Sequence, residues 1–285
     1  MEDPSSTRNA IGAFRVGVSY VGSPIRLTFP GNPLVIYICL PVHDEARTVG
    51  PLMWKLRKIF TDPEFRRDFR LIVLDDASSD DTLEVLNRYR TSLPLTILRS
   101  EEPVGYGRAV DRLLREALKQ TPYPKRDAAV VLQADFTEDP SFIVDLVKTI
   151  EGGADIVAGV RSTLEEPTPR NLRWARRAAP WVLGRVHREA PVEDPMCGFR
   201  AYRLIVPKKA LRDDETPLCS SSEPWVANVE VLSRLVPHAR RVEESPLALR
   251  YGLQSRPSRF RAMRALRELL RLRGGRPWAP PSEAA

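Results

Sequence analysis

Residues 128–140, from Ala128 to Pro140, read AAVVLQADFTEDP. The apolar run Ala129–Val130–Val131–Leu132 stops at Gln133-Ala134-Asp135. A short apolar run bounded by polar residues reads as a buried strand. It delivers a carboxylate to the carboxyl end of a sheet, the rim where open α/β sheets bind ligands. On this stretch alone two roles stay open for Asp135: contact with a ligand, or a cap on the helix that begins near Pro140.

Working outward, the same strand signal recurs. LVIYICL (Leu34–Leu40) is β-branched and apolar, as expected of a strand buried on both faces. Pro41 ends it, and a helix follows with Leu52, Leu56 and Ile59 at helical spacing. Leu71–Leu74 is a further strand ending at Asp75 and Asp76. Ser79 or Asp80 can cap the next helix, whose apolar stripe is Leu83, Leu86 and Tyr89. Leu95–Leu98 is a short strand, and Gly105-Tyr106-Gly107-Arg108 opens a long helix. Beyond Pro140 come a helix over Phe142–Ile150 and a strand over Ala154–Gly159. Strands alternating with helices imply a parallel sheet covered on both faces. Crossover connections then bring the terminal carboxylates to one rim, although they are far apart in sequence.

Past Gly159 the rhythm changes. A basic helix is expected through Arg170, Arg173, Arg176, Arg177 and Arg185, and VEDPMCGFRAYRLIV reads as a turn entering a strand. A helix over Ser222–Val236, ended by Pro237, and a strand over Arg240–Arg250 follow. The expected organisation is a poorly ordered arm over 1–32 and one main domain over 33–253. A basic amphipathic helix over 254–274 and a disordered tail over 275–285 complete it.

Composition bounds the partners. Of 285 residues 42% are hydrophobic and 28% charged, as in an ordinary globular chain. No apolar run reaches the roughly 18–20 residues that span a bilayer, and the N-terminus MEDPSSTRNA does not read as a signal peptide. The expected location is cytoplasmic, with peripheral contact on the inner face of a membrane. Cys39, Cys197 and Cys219 lack metal-site spacing and read as reduced, structural thiols. The net charge of +7 is concentrated in Arg170–Arg188 and Arg256–Arg276, which favours anionic partners. Nucleic acid is not among them, because the basic segments carry no aromatic stacking series and no recognisable module.

Five segments in one order, PVHDEA (41–46), LDDASSDDT (74–82), GYGRAV (105–110), LQADFTEDP (132–140) and DPMCGFRAYR (194–203), carry a resemblance. The chain resembles a family 2 glycosyltransferase, and the last segment is similar to the polyprenyl-phosphate branch that includes dolichyl-phosphate mannose synthases. The resemblance covers about Leu34 to Arg273. It implies the GT-A fold, a Rossmann-like, mostly parallel α/β sheet flanked by helices. It also implies transfer of a hexosyl group, with inversion, from a GDP- or UDP-sugar to a polyprenyl-phosphate-type acceptor. By the same resemblance Pro41, Glu45, Asp75, Asp76, Gly105, Gln133, Ala134 and Asp135 meet the nucleotide sugar. Arg161, Arg173 and Arg177 would meet the acceptor phosphate. Asp135, Asp194 and Arg200 would be catalytic, Asp194 standing where hydroxyl-using relatives place a base.

The family usually places Asp-x-Asp at 133–135, holding Mg²⁺ or Mn²⁺ against the diphosphate. Here Gln133 replaces the first acid, and Thr137 stands where the branch often has glutamine. Asp135, Gln133 and Thr137 would form a cation site with one negative charge, which magnesium tolerates when phosphates supply the rest. Two other functions fit the same residues: transfer to a saccharide hydroxyl in envelope polysaccharide synthesis, or nucleotide-sugar binding without catalysis. The Arg256–Arg273 helix suits an anionic bilayer surface, or else packs its Phe260–Met263–Leu266 stripe on the domain.

Overall fold

The computed structural model describes residues 34–161, 192–211, 216–219, 221, 223–247 and 267–270; of Arg161 only the backbone is described. The expected arm, the helix bearing Arg173 and Arg177, the Phe260–Met263–Leu266 stripe and the tail lie outside these residues.

Strand β1 (Val35–Val42), helix α1 (Ala46–Thr61), β2 (Asp68–Asp76), α2 (Thr82–Tyr89), β3 (Leu95–Ser100), α3 (Tyr106–Gln120) and β4 (Ala128–Val131) follow the expected alternation. A 3₁₀ turn (Pro140–Phe142) leads into α4 (Ile143–Glu151) and β5 (Ile156–Arg161). The described residues then add β6 (Arg200–Arg203), α5 (Ile205–Ala210), α6 (Pro224–Leu235) and β7 (Val242–Leu247). The strands form one sheet in the order β3-β2-β1-β4-β6-β5-β7.

The periodicity explains the layers. In β1, Ile36, Ile38, Leu40 and Val42 enter one core and Tyr37 and Cys39 the other, as period-two side chains must. The first core takes Leu52, Met53, Leu56 and Phe60 of α1 with Ile143, Leu146 and Val147 of α4. The second takes Val110, Leu113 and Leu114 of α3 with Val231 and Leu232 of α6. Phe60 stacks on Phe69 with ring centroids 4.6 Å apart. Truncating a fully buried residue such as Leu56 to alanine costs about 2–5 kcal/mol.

β1 to β4 are mutually parallel, and β5 pairs in parallel with β7. Among the described strands β6 alone is reversed, lying antiparallel between β4 and β5. The strand expected after the DPMCG turn is present but short, four residues, RAYR, of which two are arginines; its reversed direction is what the sequence pattern does not announce. Because the parallel strands share a direction, the loops after β1, β2 and β4 stand on one rim.

Candidate active site

Among the described residues three non-glycine residues have left-handed backbones, and each follows a rim strand: Asp44 (φ 54°) after β1, Ala77 (φ 54°) after β2 and Phe136 (φ 60°) after β4. Such residues cost about 1–3 kcal/mol each and persist only where their surroundings over-determine them.

The first two turns are stitched together. His43 Nδ1 donates to the carbonyl of Asp76 at 2.7 Å, which fixes its tautomer. Asp44 N–H donates to Ser78 Oγ at 2.9 Å, and Asp44 Oδ1 accepts from the Ser79 N–H at 2.7 Å. That backbone bond holds the Asp44 carboxyl below the usual range. Asp80 accepts from Ala46 N–H at 3.1 Å and from Thr82 N–H at 3.0 Å, joining the starts of α1 and α2. Glu45, buried at the start of α1, accepts from the Thr48 hydroxyl at 2.6 Å. Pro41 lies in β1 opposite Leu74.

Asp75 and Asp76 point to different tasks. Asp75 is 0% exposed; it accepts from Arg99 Nη1 at 2.6 Å and from Ser78 N–H at 3.1 Å. It therefore orders the β2 turn from within. Asp76 accepts from Val104 N–H at 2.7 Å and Gly105 N–H at 2.9 Å, fastening the start of α3 to the end of β2. A carboxylate has about four lone-pair sites, so these two bonds leave acceptor capacity on Asp76.

At α3 the two glycines differ. Gly105 has φ 83°, which glycine adopts freely. Gly107 faces away from the rim: a Cβ there would meet Cys219 Sγ at 1.9 Å and Ala227 Cβ at 2.9 Å. Close packing of α3 on α6 explains Gly107. Tyr106, between them, lies against the DPMCG turn, since a Cβ on Gly198 would meet its Oη at 2.6 Å. That hydroxyl is buried without a hydrogen-bond partner. Burial first, and the Glu138 carboxylate second, push the phenol well above its ordinary pKa.

In the opening stretch, Asp135 is half-buried and its Oδ1 accepts from the Thr137 N–H at 3.0 Å. The helix is capped instead by Asp139, which accepts from the Ser141 N–H at 2.9 Å. The question left open by the sequence is thereby answered against the cap. Gln133 is also half-buried, Ala134 and Thr137 are buried, and Glu138 Oε2 accepts from the Gln133 N–H at 2.9 Å. Among the described residues no three acidic, histidine or cysteine side chains cluster as a metal cage.

On the other limb, Asp194 Oδ1 accepts from Met196 N–H at 3.1 Å and closes the DPMCG turn. Arg200 is 1% exposed, and its two terminal nitrogens donate to the carbonyls of Asn228 and Pro195, each at 2.6 Å. It braces β6 against α6 and the turn, and its Nε has no partner. The catalytic contact expected of Arg200 would need this brace to open, because the side chain is sealed by the turn and α6. Arg161 closes β5; Arg173 and Arg177 lie outside the described residues.

The glycosyl transferase family 2 model matches residues 37–206. The chain belongs to that family. It is 29% identical over 176 residues to a dolichol-phosphate mannosyltransferase of Pyrococcus furiosus, covering 60% of this chain and 47% of the relative. It is 26% identical over 223 residues to a dolichyl-phosphate hexose transferase of Haloferax volcanii, covering 75% of this chain and 82% of the relative. The chain thus spans about half the length of the first of these relatives. Among solved structures it resembles glucosyl-3-phosphoglycerate synthase of Mycobacterium tuberculosis, crystallised with Mn²⁺, uridine diphosphate and glucosyl-3-phosphoglycerate. That likeness has a TM-score of 0.54 at 20% identity over 84% of this chain and 77% of the other. The fold is GT-A.

Within this family 2 glycosyltransferase the motif segments form a connected chain of contacts. The first two share the His43, Asp44 and Asp80 bonds. Asp76 ties the second to the third, and Tyr106 ties the third to the DPMCG turn. Lys55 of α1 reaches Asp139 at 3.7 Å. Sequence reasoning missed His43, which fixes Asp76, and Glu138, which closes the 133–138 loop. In sequence Glu138 shows only as the second of three acids in the motif, after Asp135 and before Asp139.

Proposed function

We propose that this chain is an inverting hexosyltransferase. It would move a hexosyl group from a GDP- or UDP-sugar to the phosphate of a polyprenyl-phosphate-type lipid by single displacement. The observation that carries this reading is the placement of Glu45, Asp76 and Asp135 on one rim built from strained, cross-linked turns. The chain belongs to a sugar-transferase family, and its relatives are named for transfer to dolichol and dolichyl phosphate.

Asp76, with Pro41 and Glu45 beside it, would accept hydrogen bonds from the base or ribose, and Gly105 and Ala134 would line the donor. A divalent cation, Mg²⁺ or Mn²⁺, would be held by Asp135 with Gln133 and Thr137. The donor set fits a cation bound by one carboxylate and the donor's own phosphate oxygens. When bound, that cation offsets charge on the departing diphosphate. A lipid phosphate is already anionic, so the protein has to position it rather than deprotonate it. Arg161, Arg173 and Arg177 are the proposed holders of that phosphate, since guanidinium pairs with it in two-point fashion. Asp194 and Arg200 would order the floor beneath it.

No helix among the described residues is long and apolar enough to cross a membrane. Contact with a lipid substrate would fall to the basic segment over 254–274. Its described turn, 267–270, packs on the domain through buried Leu269 and through Glu268, which accepts from Ser221 Oγ. Binding to anionic but not neutral vesicles is expected of the whole chain.

Thermal shift with GDP-mannose, UDP-glucose and UDP-N-acetylglucosamine, with and without Mg²⁺ or Mn²⁺, selects the donor. Transfer of its labelled sugar to a polyprenyl phosphate then yields product that extracts into organic solvent. Label that reaches only a water-soluble saccharide would overturn the lipid acceptor. A chain that neither binds nor hydrolyses any donor would overturn the enzyme.

A further inference from the structure

The cation site read from sequence carries one acid, because Gln133 stands in the first position of the motif. The folded loop brings a second. Phe136, at φ 60°, turns the chain back on itself, and Glu138 Oε2 comes to rest 2.9 Å from the backbone nitrogen of Gln133. Its charge therefore lies at the backbone of the very residue whose side chain lacks one. Glu138 is only 3% exposed, so water screens it little. Its carboxylate, second to burial, also helps to push the Tyr106 phenol above its ordinary pKa.

We propose that Glu138 is the positioning residue of this site: it supplies from behind the loop the second negative charge that residue 133 does not. It is not itself a ligand. Through the Gln133 N–H it holds the loop that projects Asp135, and its field favours a cation in front of Asp135. The inference rests on the transferase reading, and the two fail differently.

The test is Mn²⁺ affinity measured by titration in the presence of the nucleoside diphosphate selected above, on the full chain. Glu138→Gln keeps an oxygen able to accept the Gln133 N–H and removes the charge. It is expected to weaken Mn²⁺ binding about 10–100-fold, the usual range for a supporting residue of a metal site. Adding Gln133→Asp to Glu138→Gln moves the charge to the motif's first position and should restore affinity to within a few-fold. A folded Glu138→Gln protein with wild-type Mn²⁺ affinity overturns the proposal. So does a Glu138→Gln/Gln133→Asp protein that stays as weak as Glu138→Gln. If instead the wild-type chain binds nucleoside diphosphate and transfers sugar with no dependence on Mn²⁺, the positioning role fails and the transferase stands. A wild-type chain that binds no nucleotide removes both.

Discussion

The two limbs of the site satisfy their charges in opposite ways. On the β1–β2 limb, Asp44, Asp75, Asp76 and Asp80 each accept one or more backbone N–H groups, and Asp75 also holds Arg99. On the β6 limb the buried charge is a cation, Arg200, held by two carbonyls and, among the described residues, by no carboxylate. The acids close their turns without help, so this limb is built before any ligand arrives. A buried cation between carbonyl dipoles remains short of negative charge, and burial without a counter-charge is costly. One limb is held by acids bonded to backbone N–H groups, the other by a cation bonded to backbone carbonyls.

Four changes test that contrast. Asp135→Ala, which leaves both limbs intact, should lower transfer about 100–1,000-fold, in the range for removing one preorganised stabiliser. Its melting temperature should match wild type, and a fully active protein would end the assignment. Asp76→Ala strands the N–H groups of Val104 and Gly105 and should cost about 1–3 kcal/mol, read as a lowered denaturation midpoint together with a raised donor KM. Arg200→Met should cost less than Asp76→Ala in the same denaturation experiment, because it removes a buried unpaired cation together with its bonds. A larger loss would mean that the β6 limb is as self-sufficient as the other. Smallest is Tyr106→Phe. It deletes a buried hydroxyl with no partner and should change stability by no more than about 1 kcal/mol, in the favourable direction.

The acid limb also predicts a pH dependence. The Asp44 carboxyl is depressed in the fold, so its contribution is fully present above the unfolded value of about 3.9. It is lost as pH falls through the depressed value. Stability of the wild-type chain should therefore drop between about pH 4 and lower values more steeply than that of Asp44→Asn. Asparagine tolerates the left-handed backbone at this position, so the comparison isolates the charge.

Much of this arrangement was legible beforehand. The strand starts and ends of the parallel half differ from expectation by a few residues, because apolar runs buried on both faces have no other use for their composition. Asp76 and Asp135 were located because a polar residue at the end of such a run has to stand on the rim. Asp75 and Asp76 look alike in sequence, two adjacent carboxylates at a strand end, yet alternate side chains point to opposite faces, and they take different partners: Arg99 and Ser78 for Asp75, Val104 and Gly105 for Asp76. The partners of Arg200 were not legible for a related reason, since an arginine in a four-residue strand gives no sign of the carbonyls waiting for it. Glu138 was overlooked because its meaning depends on a left-handed residue at Phe136, and phenylalanine does not signal that conformation.

The amino-acid sequence by itself determined the α/β alternation, the common rim and the family motifs, all of which follow from local periodicity and short-range residue order. Only the tertiary structure decided which acid pairs with Arg99, where β6 inserts and which carboxylate closes the 133–138 loop. These are contacts between residues distant in sequence, or between a side chain and a backbone group whose direction is set only when the chain has closed. Gln133 thus marks a missing acid in the sequence, and in the fold it is the residue whose own N–H holds the replacement.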